Sequence, residues 1–128
     1  MFNSKYVLIM TLWMMSSWSV LANDVQVNHL LKEPSAVAAN TEVIVSRVDI
    51  PANTTLPKHW HHGEEYVHIL SGTVTLWQQG KENHLMKAGD TLKIPLKQIH
   101  TAITGDEAVS IMVFRVHEQG KPVRVNVD

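Results

Sequence analysis

Cysteine is absent from the 128 residues, which excludes thiolate nucleophiles, thiolate metal sites and disulfide staples together. Any metal must then be held by His, Asp and Glu. No sign of charge dominates: 11 Lys and Arg stand against 12 Asp and Glu, a formal net charge of −1 with histidine neutral. That balance gives no electrostatic footprint for nucleic acid, and no polybasic stretch addresses a membrane surface. Low-complexity segments and repeats beyond strand-length units are missing too. After residue 22 no apolar run approaches membrane length.

What is present begins with that first run. Lys5 supplies a positive start, and residues 6–18 are apolar except for Thr11, Ser16 and Ser17. Val20-Leu21-Ala22 then offers small residues at −3 and −1 of a cleavage site, with polar Asn23-Asp24 directly after. Residues 1–22 therefore read as a signal peptide, too short for a comfortable transmembrane anchor. Residues 23–128 read as one domain, periplasmic or secreted, with no membrane contact after cleavage. That domain keeps 10 basic and 12 acidic residues.

Along it the period is two. Residues 42–50 put Ile44, Val48 and Ile50 on one face, with Val43, Val45 and Arg47 on the other. Short β-rich runs follow at 66–70, 73–78, 82–87, 91–94, 99–103 and 108–116. Turn signals separate them, among them Ser71-Gly72, Gln79-Gly80-Lys81 and Ala88-Gly89-Asp90. Strands this short and this evenly spaced indicate an all-β sandwich or barrel. The one helical candidate, residues 27–39, contains Pro34 and reads as irregular or strand. In the tail Val123, Val125 and Val127 alternate and suit an edge or swapped strand.

The chemistry concentrates in His59-Trp60-His61-His62-Gly63-Glu64-Glu65. On an extended chain His59 and His61 point the same way. Glu65 shares their parity and returns to that face after a turn expected at Gly63. His100, following the Pro95 turn, offers a fourth donor. Converging nitrogen and oxygen donors are what a divalent first-row metal needs. His62 and Glu64 have the wrong parity for that cluster, and His68 should face away. His29, His84 and His117 have no donor neighbours in sequence and read as ordinary residues.

These residues fall into a longer pattern, in which the chain resembles the cupins. The first cupin motif is a Gly, five residues, His-x-His, three or four residues, Glu, six residues and Gly. His59, His61, Glu65 and Gly72 match it in register, with Asn53 at the first Gly. Asn tolerates the left-handed conformation better than most residues. Gly89, Pro95 and His100 match the second motif, where Lys97 replaces a Gly and Thr104 an Asn.

The resemblance implies a single-domain cupin, a jelly-roll-like β-barrel commonly found as a dimer. It implies one divalent ion (Fe, Mn, Ni, Cu or Zn) on His59, His61, Glu65 and His100. A homodimer is expected, with residues 25–31 or the tail crossing to the partner. Val67, Ile69 and Ala102 should line a pocket by parity. Trp60, Tyr66 and Trp77 should pack between sheets, and Met86 and Met112 should fill the core. The expected function is metal-dependent turnover of a small molecule, of dioxygenase, isomerase or lyase type. The alternative is a non-catalytic module that binds or senses a small ligand or a metal. Neither a general base nor a substrate-anchoring arginine is identified, because alternation leaves the facing of Arg47 and Arg115 open.

Overall fold

The computed structural model describes residues 24–128, so the expected signal peptide lies outside the described residues. Two five-stranded antiparallel sheets face each other. One runs in the order β1 (Gln26–Pro34), β2 (Thr41–Ile50), β9 (Val109–Glu118), β4 (Gly63–Ser71) and β7 (Thr91–Ile94). The other runs β10 (Val125–Asn126), β3 (His59–Trp60), β8 (His100–Thr104), β5 (Thr73–Gln78) and β6 (His84–Lys87). Among the described residues no helix is long and apolar enough to cross a membrane.

Alternation decides which residues enter the core. Val48 and Ile50 of β2, Val67 and Ile69 of β4, and Ile111 and Val113 of β9 meet Val74 and Leu76 of β5 across the gap. Each such side chain contributes about 1.5–3 kcal/mol when fully buried. Met86 belongs to this cluster, whereas Met112 has the opposite parity and is only half-buried.

The aromatic residues depart from expectation. Trp60, Tyr66 and Trp77 sit half-buried on outward faces instead of between the sheets. Lysine ammonium groups cover them: Lys97 over Trp60, Lys93 over Tyr66 and Lys58 over Trp77. Their rings gain cation–π contact there.

The first and last strands of the described residues both pair within this chain. Strand β1 lies antiparallel to β2, with a shift in register between His29 and Leu31. All nine residues of β1 are exposed, including Val27, Leu30 and Leu31. In the tail, Val125 pairs with Trp60, and Val127 N donates to Lys58 O at 2.9 Å.

Substituted motif positions keep their backbone geometry. Asn53 and Lys97, standing where cupins carry Gly, hold φ of 52° and 57° in the left-handed region. Thr104 takes over a stapling role. Its hydroxyl donates to Pro51 O at 2.6 Å and accepts from Thr54 N at 2.9 Å, tying the loop before the His-x-His segment to β8.

Candidate metal centre

Three histidines come together from two strands and the segment between β3 and β4. His59 and His100 are direct cross-strand partners, which places their rings 4.4 Å apart. His61 follows β3, its ring 4.9 Å from that of His59 and 5.2 Å from that of His100. Donor atoms of the three lie within 4.8 Å of one another, and all three residues are buried. The three can therefore hold a metal ion.

Each ring has its Nδ1 committed to a backbone carbonyl. His59 Nδ1 lies 2.7 Å from Pro57 O, and His100 Nδ1 lies 2.8 Å from Gln98 O. His61 Nδ1 meets the carbonyl of Val123 in the tail. A carbonyl only accepts, so each Nδ1 carries a proton and each Nε2 is the nitrogen left to face a ligand. Nε2 of His61 and of His100 is buried with no hydrogen-bond partner. Burial drives the His59 pKa down to about 4, against the pull of the Pro57 carbonyl. That ring is neutral at physiological pH, as a metal ligand must be.

Glu65 enters from β4 but stands outside the tight group of donors. The residue opposite it on β9 is Arg115, and Arg115 Nε donates to Glu65 Oε2 at 2.7 Å. Both are buried. Burial pushes the Glu65 carboxyl up, but the Arg115 charge and contacts with His100 and His61 outweigh it and hold it well below the usual range. His61 Nε2 is 2.8 Å from Glu65 Oε2, yet the two make no hydrogen bond. Buried imidazole nitrogens without a hydrogen-bond partner, set beside a buried carboxylate, make a donor set that fits a divalent ion.

Gly63 makes the approach of β4 possible without serving as a turn. A Cβ built on it would strike Val116 O and sit 2.7 Å from His117 Cα. Only a residue without a side chain lets β4 close on β9 at that point and return Glu65 to the inward face.

Beside the donors lies a cavity of about 210 Å³, lined by His59, Glu65 and His100. Val67 and Ala102 line it as parity predicts, whereas Ile69 is fully buried in the core and does not. His62 and Glu64 face away: Glu64 pairs with Lys93 at 2.7 Å, and His62 lies 3.9 Å from Glu118. His68 also turns outward, 2.7 Å from Thr91 Oγ1.

Three wall residues lie outside the site expected from the sequence: Arg115, whose facing alternation leaves open, His29, which reads as an ordinary residue, and Arg124. His29 Nδ1 is 2.8 Å from Ser46 Oγ. Arg115 could have been found only from its register opposite Glu65. His29 and Arg124 arrive through strand pairing and chain return, which local pattern does not encode.

A family model described as a cupin domain matches residues 46–115. The chain belongs to the cupins. Among solved structures this cupin is similar to the DMSP lyase DddQ from Ruegeria pomeroyi DSS-3, at 22% identity and TM-score 0.70, over 80% of this chain and 51% of that one. It is similar to a cupin-like protein from Thermotoga maritima MSB8, at 18% identity and TM-score 0.63, over 80% of this chain and 75% of the other. A Klebsiella pneumoniae protein with a double-stranded β-helix domain gives 17% identity and TM-score 0.63, over 84% of this chain and 87% of its own. The cupin spans about half the length of the DMSP lyase chains it matches, 51% and 44%. At these identities the likeness speaks for the fold. No curated protein matches the chain.

Proposed function

We propose that this chain is an exported, metal-dependent cupin that binds one divalent first-row cation and transforms a small organic molecule in the adjoining cavity. His59, His61 and His100 would hold the ion through Nε2, and Glu65 would complete the set. The observation that carries the reading is the fixed orientation of the three rings, with each Nδ1 tied to a carbonyl and the Nε2 atoms brought together. A bound ion of this class supplies Lewis-acid polarisation of a substrate oxygen or, for redox-active metals, a route to dioxygen.

The residues divide the remaining work. Glu65 is held too acidic to act as a base, so its part is to supply negative charge. Val67, Val74, Leu76 and Val113 exclude water from the cavity. His29 is the remaining imidazole on the wall and is the group available to move a proton. The names of the lyase neighbours support keeping lyase chemistry beside isomerase and oxygenase chemistry, although one fold hosts many reactions. The exposed apolar edge of β1 suits pairing with a second copy, which light scattering would read as twice the chain mass.

The test is turnover. Protein reconstituted separately with Fe(II), Mn(II), Ni(II), Cu(II) and Zn(II) should convert at least one member of a small-molecule panel, followed by product formation and oxygen uptake. His100→Ala should abolish that conversion, and His29→Asn should lower kcat. The second reading, a non-catalytic binding module, draws on the absence of any carboxylate besides Glu65 among the wall's described residues. It wins if every metal form binds a panel member and none converts it.

A further inference from the structure

We infer that the ligand of this cavity is a short-chain carboxylate, its anionic head received by Arg115 and Arg124; the inference rests on the metal-dependent reading above. Arg115 is 7% exposed and lines the cavity. Its Nε is committed to Glu65, but its Nη1 is buried and has no partner. A buried charged donor left unpaired is costly. A ligand oxygen would remove that cost. Guanidinium also presents its donors in a planar fork that matches a carboxylate better than a neutral amide or alcohol.

Arg124 supplies a second cation on the same wall. It follows Val123, whose carbonyl holds His61, so the tail that orients a candidate metal ligand also delivers a positive charge to the cavity. Among the described wall residues Glu65 is the one carboxylate, against the two guanidinium groups, and a bound divalent ion would add further positive charge. An anion is the complementary guest.

The rest of the wall limits what the anion carries. Val67, Val74, Leu76, Ile111 and Val113 offer no hydrogen-bonding side chain, so the body of the ligand is hydrocarbon-like. At about 210 Å³ the cavity falls below the roughly 300–1,000 Å³ typical of drug-sized pockets, so that body is short. Inorganic phosphate offers the head without the stem and serves as the competing case.

Calorimetry on zinc-loaded protein with butyrate, butyramide and inorganic phosphate tests this. Butyrate should bind about tenfold or more tighter than butyramide, the difference expected for charged against neutral hydrogen bonds. It should also bind more tightly than phosphate. Arg124→Gln should lose most of the preference with zinc stoichiometry unchanged, and Arg124→Lys should restore part of it. Arg115→Lys should weaken butyrate as well; if that variant does not fold, Arg124→Gln decides alone. Equal binding of butyrate and butyramide, tighter binding of phosphate, or unaltered butyrate binding in either folded variant overturns the inference. Failure to take up zinc sinks the metal reading instead, and the same comparison on metal-free protein then decides the carboxylate question separately.

Discussion

Arg115 and His117 lie two residues apart on the inward face of β9, each opposite a buried carboxylate on a neighbouring strand. Arg115 faces Glu65 on β4, and His117 faces Glu42 on β2. All four are buried. Both pairs leave orphaned polar atoms: Nη1 of Arg115 in one, Glu42 Oε1 and His117 Nε2 in the other. The first pair adjoins three imidazoles and lines a cavity. The second pair lines no part of that cavity. His117 leans on the carbonyl of Glu118 at 2.9 Å, and Glu42 reaches the half-exposed Lys32 at 3.5 Å. Burial of titratable groups therefore does not distinguish a site from a structural cluster in this barrel. Convergence of several donors on an open space does.

The largest contrast should appear in stability. Glu65→Ala leaves Arg115 buried and unpaired, a loss of about 3–5 kcal/mol. Glu42→Ala frees a lysine that already reaches water, so the ion-pair loss is at most about 1 kcal/mol. Urea midpoints of the two variants, measured on metal-free protein, check this. Equal losses would erase the distinction drawn between the two pairs.

A smaller contrast concerns acid. Folding depresses the His59 pKa from 6.5 to about 4, so between those values the unfolded chain binds more protons. Stability is then full above about pH 6.5 and falls as the pH drops toward about 4. Below 4.5 the depressed carboxyl of Glu65 works in the same direction. The His117 ring is also lowered, mainly by burial, and opposed by the Glu118 carbonyl and by Glu42. In metal-free protein, His59→Asn should flatten the dependence of the urea midpoint on pH more than His117→Asn does. The reverse order would mean that the centre is not the more strongly desolvated of the two clusters.

How much of this the sequence discloses depends on the range over which each feature is encoded. Period-two alternation is local, so β2, β5 and β7 are legible to within a residue, and the shared facing of His59, His61 and Glu65 follows from it. Left-handed Asn53 is legible from what Asn tolerates. Strand β4 begins at Gly63, three residues before the apolar run, because charged Glu64-Glu65 masks a strand whose inward carboxylate has a partner 50 residues away. Strand β3, at two residues, is too short to show a period. His117 has no donor neighbour in sequence, and only the β2–β9 register sets it face to face with Glu42. Arg124 and His29 reach the cavity through chain return, to which no local pattern is sensitive. The outward facing of the tryptophans is not legible from side-chain size, because the lysines that cover them come from loops distant in sequence.

The most direct measurement is metal content after reconstitution and dialysis, by elemental mass spectrometry, on wild type, His100→Ala and His117→Ala. One divalent ion per chain is expected in wild type and in His117→Ala, and far less in His100→Ala. Metal at about a hundredfold over its Kd should then stabilise the first two by about 2.7 kcal/mol and leave the third unchanged. Wild type that retains no ion, or His117→Ala that loses metal while His100→Ala keeps it, would contradict the assignment of the centre.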